Sequence, residues 1–339
     1  LKDSYLVNVS AVTRLPEASM TPGEKICYEN PDGRMSFEQV GWDYWGMLCA
    51  WEPSLATKGY DALHVIIEGG GDGEVRAILQ ACEASRQETG SFPTVGVEPI
   101  LHEVHAAALD GLRSVTRLAT VCSPDLATAA CIGKLVDAEA EAAGRSSSTF
   151  RPDELPPDVL ASLRSSVPDL STSSTVEAAP DDGAPPPAAP PPMRCQLVDL
   201  AAAVYDELTM QPGALLAIRD GEHGSYIYTR PAPDAPIYMW LADASSREYE
   251  WFARVPAAKL ERVADPTGAG NAYAGALTAQ LAAGVGPEAA AATATAVGAA
   301  FCAADAWAPP DVDAATAWVQ TASTRVAERI RVIVGGDSA

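Results

Sequence analysis

Positive charge is scarce in this chain. Lys and Arg number 23 against 45 Asp and Glu, a formal net charge of −22. Such an acidic surface argues against nucleic acid and anionic membranes as partners. It also repels a nucleotide's phosphates at long range, so a phosphate site must rest on local backbone donors and a cation. No Cys-x-x-Cys occurs. The seven cysteines (Cys27, Cys49, Cys82, Cys122, Cys131, Cys195 and Cys302) are odd in number and irregularly spaced. Most sit in apolar runs, so thiols serving as small core residues in a reducing compartment, the cytoplasm first, are expected rather than disulfides or zinc. No apolar run reaches the ~18 residues of a membrane span. The first residue is Leu1 rather than Met, so the sequence reads as a processed or partial product.

Apolar residues make up 47% of the 339 positions, enough for one large α/β domain or two small ones. Residues 25–40 alternate apolar and polar on both sides of Asn30-Pro31-Asp32-Gly33, which reads as a hairpin. From there strands and helices alternate. Strands are expected at 62–68, 94–97 and 117–123, and helices at 74–87, 102–112 and 126–143. This order implies a mostly parallel sheet with helices on both faces. Residues 144–193 are dominated by Ser, Pro, Ala and Asp and are expected to form a disordered insertion, or a proline-rich docking site. Helical spacing returns at 196–208, and 214–230 reads as two strands around a Gly-x-x-Gly turn. Helices follow at about 270–283, 286–307 and 312–330. The expected organisation is 1–143 as the first part of one domain, 144–193 as the insertion, and 194–339 as its nucleotide-binding part.

The stretch DPTGAGNAYAGAL, 265–277, carries the most chemistry. Gly268, Ala269 and Gly270 let backbone N–H groups approach a ligand closely, and the helix that follows adds the positive end of its dipole. A glycine-containing helix start without a ligand is the plain alternative. The wider segment 261–283 resembles the C-terminal signature of the ribokinase-type, or pfkB-type, carbohydrate kinases, with Asn271 where that signature ends in Asp. AIRDGEHG (217–224) resembles the family's strand and Gly-x-x-Gly segment at the nucleotide phosphates, with Gly221 and Gly224 in the matching positions. AVGAAFCAADAWAPP (296–310) resembles the helix that flanks the adenine, and VCSPDLAT (121–128) stands where the family carries Ser-Pro-Asn-x-x-Glu. The subgroup with Glu-Pro after a mid-sheet strand, as in VGVEP (95–99), and with Asn at the Gly-Ala-Gly-Asn position is most similar.

This resemblance implies a ribokinase-like three-layer α/β sandwich. It also implies ATP-dependent transfer of a phosphoryl group to a hydroxyl of a sugar or related small molecule, with ATP and Mg²⁺ as cofactors. On this carry-over, Gly268, Ala269, Gly270 and Asn271 are catalytic. Asp265, Thr267, Gly221, Gly224, Gly298 and Cys302 line the nucleotide, and Asp125 and Thr128 stand where Mg²⁺ is organised. The departures weaken turnover. Asn271 cannot accept a proton, and loss of a positioned base costs about 10²–10⁴-fold in rate. Thr128 replaces a carboxylate. The 24 residues before the hairpin are too few for the family's N-terminal substrate segment.

The competing reading is a kinase-fold protein without turnover, whose acidic surface or proline-rich insertion contacts a protein partner. A stable α/β domain without a ligand is the third. Other features carry less. GGGDG (69–73) reads as a sharp strand-to-helix turn, His102 and His105 as surface histidines and His64 as a core residue. His223 belongs to a turn, and Glu98 is a candidate site residue at a strand's carboxyl end.

Overall fold

The computed structural model describes residues 24–29, 35–40, 62–67, 72–90, 93–101, 104–141, 152, 155–166, 196–230, 250–303 and 312–334. Strands β1 (Glu24–Glu29) and β2 (Met35–Val40) pair antiparallel, with Glu24 opposite Val40, as the alternation around the turn implied. A second sheet holds seven strands in chain order: β3 (Ala62–Ile67), β4 (Thr94–Pro99), β5 (Val121–Cys122), β6 (Leu215–Arg219), β7 (Ser225–Thr229), β8 (Trp251–Val255) and β9 (Arg331–Val334). The helices are α1 (Asp72–Thr89), α2 (Ala106–Thr116), α3 (Leu126–Glu141), α4 (Pro157–Ser165), α5 (Gln196–Glu207), α6 (Ala269–Ala282), α7 (Pro287–Ala303) and α8 (Val312–Ala327).

The layered α/β class holds, but the sheet is mixed. Strands β3 to β6 run parallel, whereas β6 to β9 pair antiparallel. Helices bridge the strands of the first half. Only five residues join β6 to β7, and so short a link can only fold the chain back, whereas β9 returns antiparallel to β8 after α6, α7 and α8.

Side chains alternate across the strands and divide the interior into two cores. Leu216 and Ile218 of β6, Val95 and Val97 of β4, and Tyr226 and Tyr228 of β7 point into one, with Leu109, Leu112, Ile132, Leu197 and Val198 from the helices. Leu215 and Ala217, Ile227, and Ala253 and Val255 point into the other, against Tyr273, Ala274 and Leu277 of α6 and Ala290, Ala291, Ala292 and Ala294 of α7. Two buried faces make the strand segments apolar almost throughout. The alanines keep α7 thin. Helices α6 and α7 approach so closely that a Cβ on Gly298 would lie 3.1 Å from the Ala269 carbonyl oxygen.

Part of the segment expected to be disordered is ordered. Pro156 and Pro157 open helix α4, Asp158 lies in its first turn and Arg164 in its last, which suits the helix dipole. Leu155 is buried, and Leu160 and Leu163 pack on the first core. The average composition of 144–193 hides this one short apolar stripe. The tip of the first hairpin, residues 69–71, His102 and the proline-rich run after 166 lie outside the described residues. His105 is the N-cap of α2, its Nδ1 accepting the Ala108 N–H at 3.1 Å.

Candidate active site

The parallel strands β3 to β6 end at the same edge, and α6 starts above it. Glycines set this approach. A Cβ on Gly96 in β4 would fall 1.9 Å from Thr278 Oγ1 in α6, so only glycine lets the helix lie flat on this strand. At the start of the helix Gly268 adopts φ +81°, the left-handed conformation that glycine reaches without penalty.

That turn leaves donors unused. The Ala269 N–H bonds the Pro266 carbonyl at 3.1 Å and the Ala272 N–H bonds the Gly268 carbonyl at 2.9 Å. The Thr267 N–H is taken by Asp265 Oδ1 at 2.9 Å, which holds the Asp265 carboxyl below its usual range. Among the described residues, the N–H groups of Gly268, Gly270 and Asn271 donate to no protein acceptor. The free donors are therefore Gly268, Gly270 and Asn271. Ala269, expected among them, is consumed by the turn. The Asn271 side chain is exposed.

The sheet side of this turn is charged. Arg219, the last residue of β6, lies against Gly270: a Cβ there would sit 2.0 Å from Nη1. Arg219 Nε donates to the Ser123 carbonyl at 3.1 Å, and Nη1 contacts Glu98 Oε1 at 2.7 Å, an ion pair without a well-aligned hydrogen bond. Glu98 is fully buried, and its Oε2 meets His64 Nε2 at 3.2 Å. A carboxylate only accepts, so Nε2 is assigned the proton; His64 Nδ1 is buried and has no hydrogen-bond partner among the described residues. Burying a carboxylate costs several kcal/mol unless it is paired, so Glu98 depends on Arg219. Sequence reasoning marked Glu98, took His64 for a core residue and missed Arg219. The available signal was a lone cation closing the apolar run ALLAIR in an acidic chain.

The other expected residues fall into two groups. Asp265, Gly298 and Cys302 border the free donors. The Ala264 and Asp265 N–H groups both bond the Cys302 carbonyl, at 2.8 and 3.3 Å, tying the loop to α7. Burial, helped by Asp265, raises the Cys302 thiol's pKa. Gly298 serves helix packing, and Phe301 lies 3.3 Å from where a Gly268 Cβ would be. Gly221 and Gly224 occupy the 3₁₀ turn just beyond Arg219. Gly224 has φ +98°, and a Cβ on it would meet the Val255 carbonyl oxygen at 2.1 Å. Asp125 and Thr128 lie at the start of α3. Asp125 Oδ1 accepts the Thr128 N–H at 2.7 Å and so caps α3, while Thr128 is buried in its first turn. No group of three His, Cys, Asp or Glu among the described residues is placed to hold a metal ion.

A helix start with free donors, a close helix–helix contact and a charged strand end meet at this edge of the sheet. Residues 197–306, which carry α5 to α7 and β6 to β8, match the family model described as pfkB family carbohydrate kinase. Among solved structures the chain is similar to an apo E. coli protein assigned as ribokinase II, with 15% identity, TM-score 0.48, and coverage of 88% of this chain and 71% of the other. It is also similar to a ribokinase from Cryptococcus neoformans in complex with ADP (14%, TM-score 0.45, 89% and 71%). A Burkholderia thailandensis nucleoside kinase in complex with inosine gives 17%, TM-score 0.42, and 88% and 68%. No curated protein matches the sequence closely enough to count as a relative.

Proposed function

We propose that this protein is an ATP-dependent kinase that phosphorylates a hydroxyl of a sugar or related small molecule. The observation that carries the reading is the set of three N–H groups, on Gly268, Gly270 and Asn271, that donate to no described residue at the mouth of α6. Such donors, fixed in place before any ligand arrives, suit the charge that spreads over a moving phosphoryl group. ATP fits this cradle. Its terminal phosphates would face the free N–H groups and its adenine the side formed by Asp265, Thr267, Gly298 and Cys302. Gly221 and Gly224 would let the β6–β7 turn approach the phosphates.

The residues do not fit a protein-held Mg²⁺. Asp125 is engaged as a helix cap and Thr128 is buried, so no step is assigned to a metal at these positions. In the transfer, the acceptor oxygen bonds the γ-phosphorus as the bond from that phosphorus to the bridging oxygen breaks, and ADP leaves. The hydroxyl proton passes to solvent, because the Asn271 amide can orient the hydroxyl but cannot take the proton. A loose transition state tolerates this better than acyl transfer would.

A second reading is favoured by Asn271 itself: a kinase fold that binds nucleotide without turnover. The experiment is calorimetric titration with Mg-ATP and Mg-ADP, followed by an ADP-release assay over a panel of sugars and nucleosides. Kinase function predicts nucleotide binding and a rate that Asn271→Asp raises by about 10²–10⁴-fold. Binding with turnover only in the Asp variant favours the second reading. Absence of nucleotide binding in both proteins overturns the two together.

A further inference from the structure

We propose that Arg219 is the side-chain cation of this site and binds the terminal phosphates of the nucleotide, with Glu98 and His64 as its positioning residues. This rests on the kinase reading and adds to it a charge that the Gly-Ala-Gly-Asn loop does not supply. The sheet register brings the group together. In β3, His64 faces α6 because Leu63, Val65 and Ile67 face the opposite core. In β4, Gly96 and Glu98 do the same between Val95 and Val97, and in β6 Arg219 follows Leu215 and Ala217. His64 pairs with Gly96 and Ile66 with Glu98 across the parallel ladder, so the imidazole reaches the carboxylate diagonally. Glu98 then holds the guanidinium beside Gly270.

Three properties fit Arg219 to a phosphate rather than to a structural ion pair alone. Its side chain is 14% exposed, whereas that of Glu98 is 0% exposed, so the cation is the solvent-facing member. Two of its three nitrogens are used, Nε by Ser123 and Nη1 by Glu98, and Nη2 hydrogen-bonds no described residue. It flanks the first turn of α6, whose free N–H groups and dipole share its sign. Like charges gathered at one point are unfavourable until an anion arrives. A guanidinium next to backbone donors also matches the oxygens of a phosphate in planar geometry.

The test uses the full chain and calorimetry with two probes, adenosine and a non-hydrolysable ATP analogue with Mg²⁺. The variant is Arg219→Met with Glu98→Gln, which removes the cation without stranding a buried carboxylate. We expect adenosine affinity to be unchanged and analogue affinity to fall about 10–100-fold, the worth of one or two charge-assisted hydrogen bonds. Glu98→Gln alone should tighten the analogue and leave adenosine alone, because the cation loses its neutralising partner. If the wild type binds both probes and the double variant binds the analogue equally well, Arg219 is only structural. If the wild type binds neither, the kinase reading itself falls, and this assignment with it.

Discussion

Replacing Gly270 by alanine sets two opposing effects against each other. Alanine gains about 0.5–1 kcal/mol over glycine inside a helix. Against that, its Cβ would lie 2.0 Å from Arg219 Nη1 and 3.2 Å from Cζ, so the guanidinium must move. An arginine tip usually moves at little cost, but this one is anchored by the Ser123 carbonyl and by Glu98. Losing the hydrogen bond costs about 1 kcal/mol. Separating the pair completely would cost about 3–5 kcal/mol, because Glu98 would remain buried and charged. We expect a net loss of about 2 kcal/mol, read as a lower urea midpoint with an unchanged slope. Gly275→Ala is the control on the same helix. Its Cβ would meet only His64 Cδ2, at an ordinary 3.8 Å, so this variant should gain up to about 1 kcal/mol. In the Arg219→Met, Glu98→Gln background, Gly270→Ala should also become neutral or stabilising. A Gly270→Ala protein as stable as the wild type would refute the reasoning, since it would mean that Arg219 is not held where the geometry puts it.

Two further outcomes follow from groups away from this turn. Arg164 of α4 donates from Nε and Nη2 to Asp220, at 2.6–3.1 Å, and Asp220 is buried just before the Gly-x-x-Gly turn. Arg164→Ala should therefore destabilise by roughly 1–3 kcal/mol, discounted because Arg164 is one-third exposed, and should open 155–166 to limited proteolysis; an unchanged cleavage pattern would count against the docking. Burial pushes the Cys122 thiol from 9.0 to about 12 and the Tyr205 and Tyr273 hydroxyls from 10.0 to about 12. The unfolded chain loses these protons first, so stability should be full below pH 9 and fall through pH 9–12, by about 1.4 kcal/mol per unit of separation for each group. Flat urea midpoints from pH 7.5 to 11 would contradict it.

Much of the fold was legible through local rules. Periodicity and turn residues marked the hairpin, strands at 62–68 and 94–97 (observed at 62–67 and 94–99) and the order of helices, because these signals act within a few residues. The DPTGAGN stretch marked the helix mouth, because glycine freedom and a helix start are local properties. Three matters needed the tertiary structure. The Ala269 N–H is spent on Pro266, which depends on how the turn closes. Asp125 caps α3, which depends on where that helix begins. Arg219, Glu98 and His64 lie 34 to 155 residues apart in the chain and meet only because strands pair in one register beneath α6. Alternation tells which residues share a face of their own strand. Which face meets which helix, and at what height, is decided by packing, and packing is what brings Arg219 to the mouth of α6.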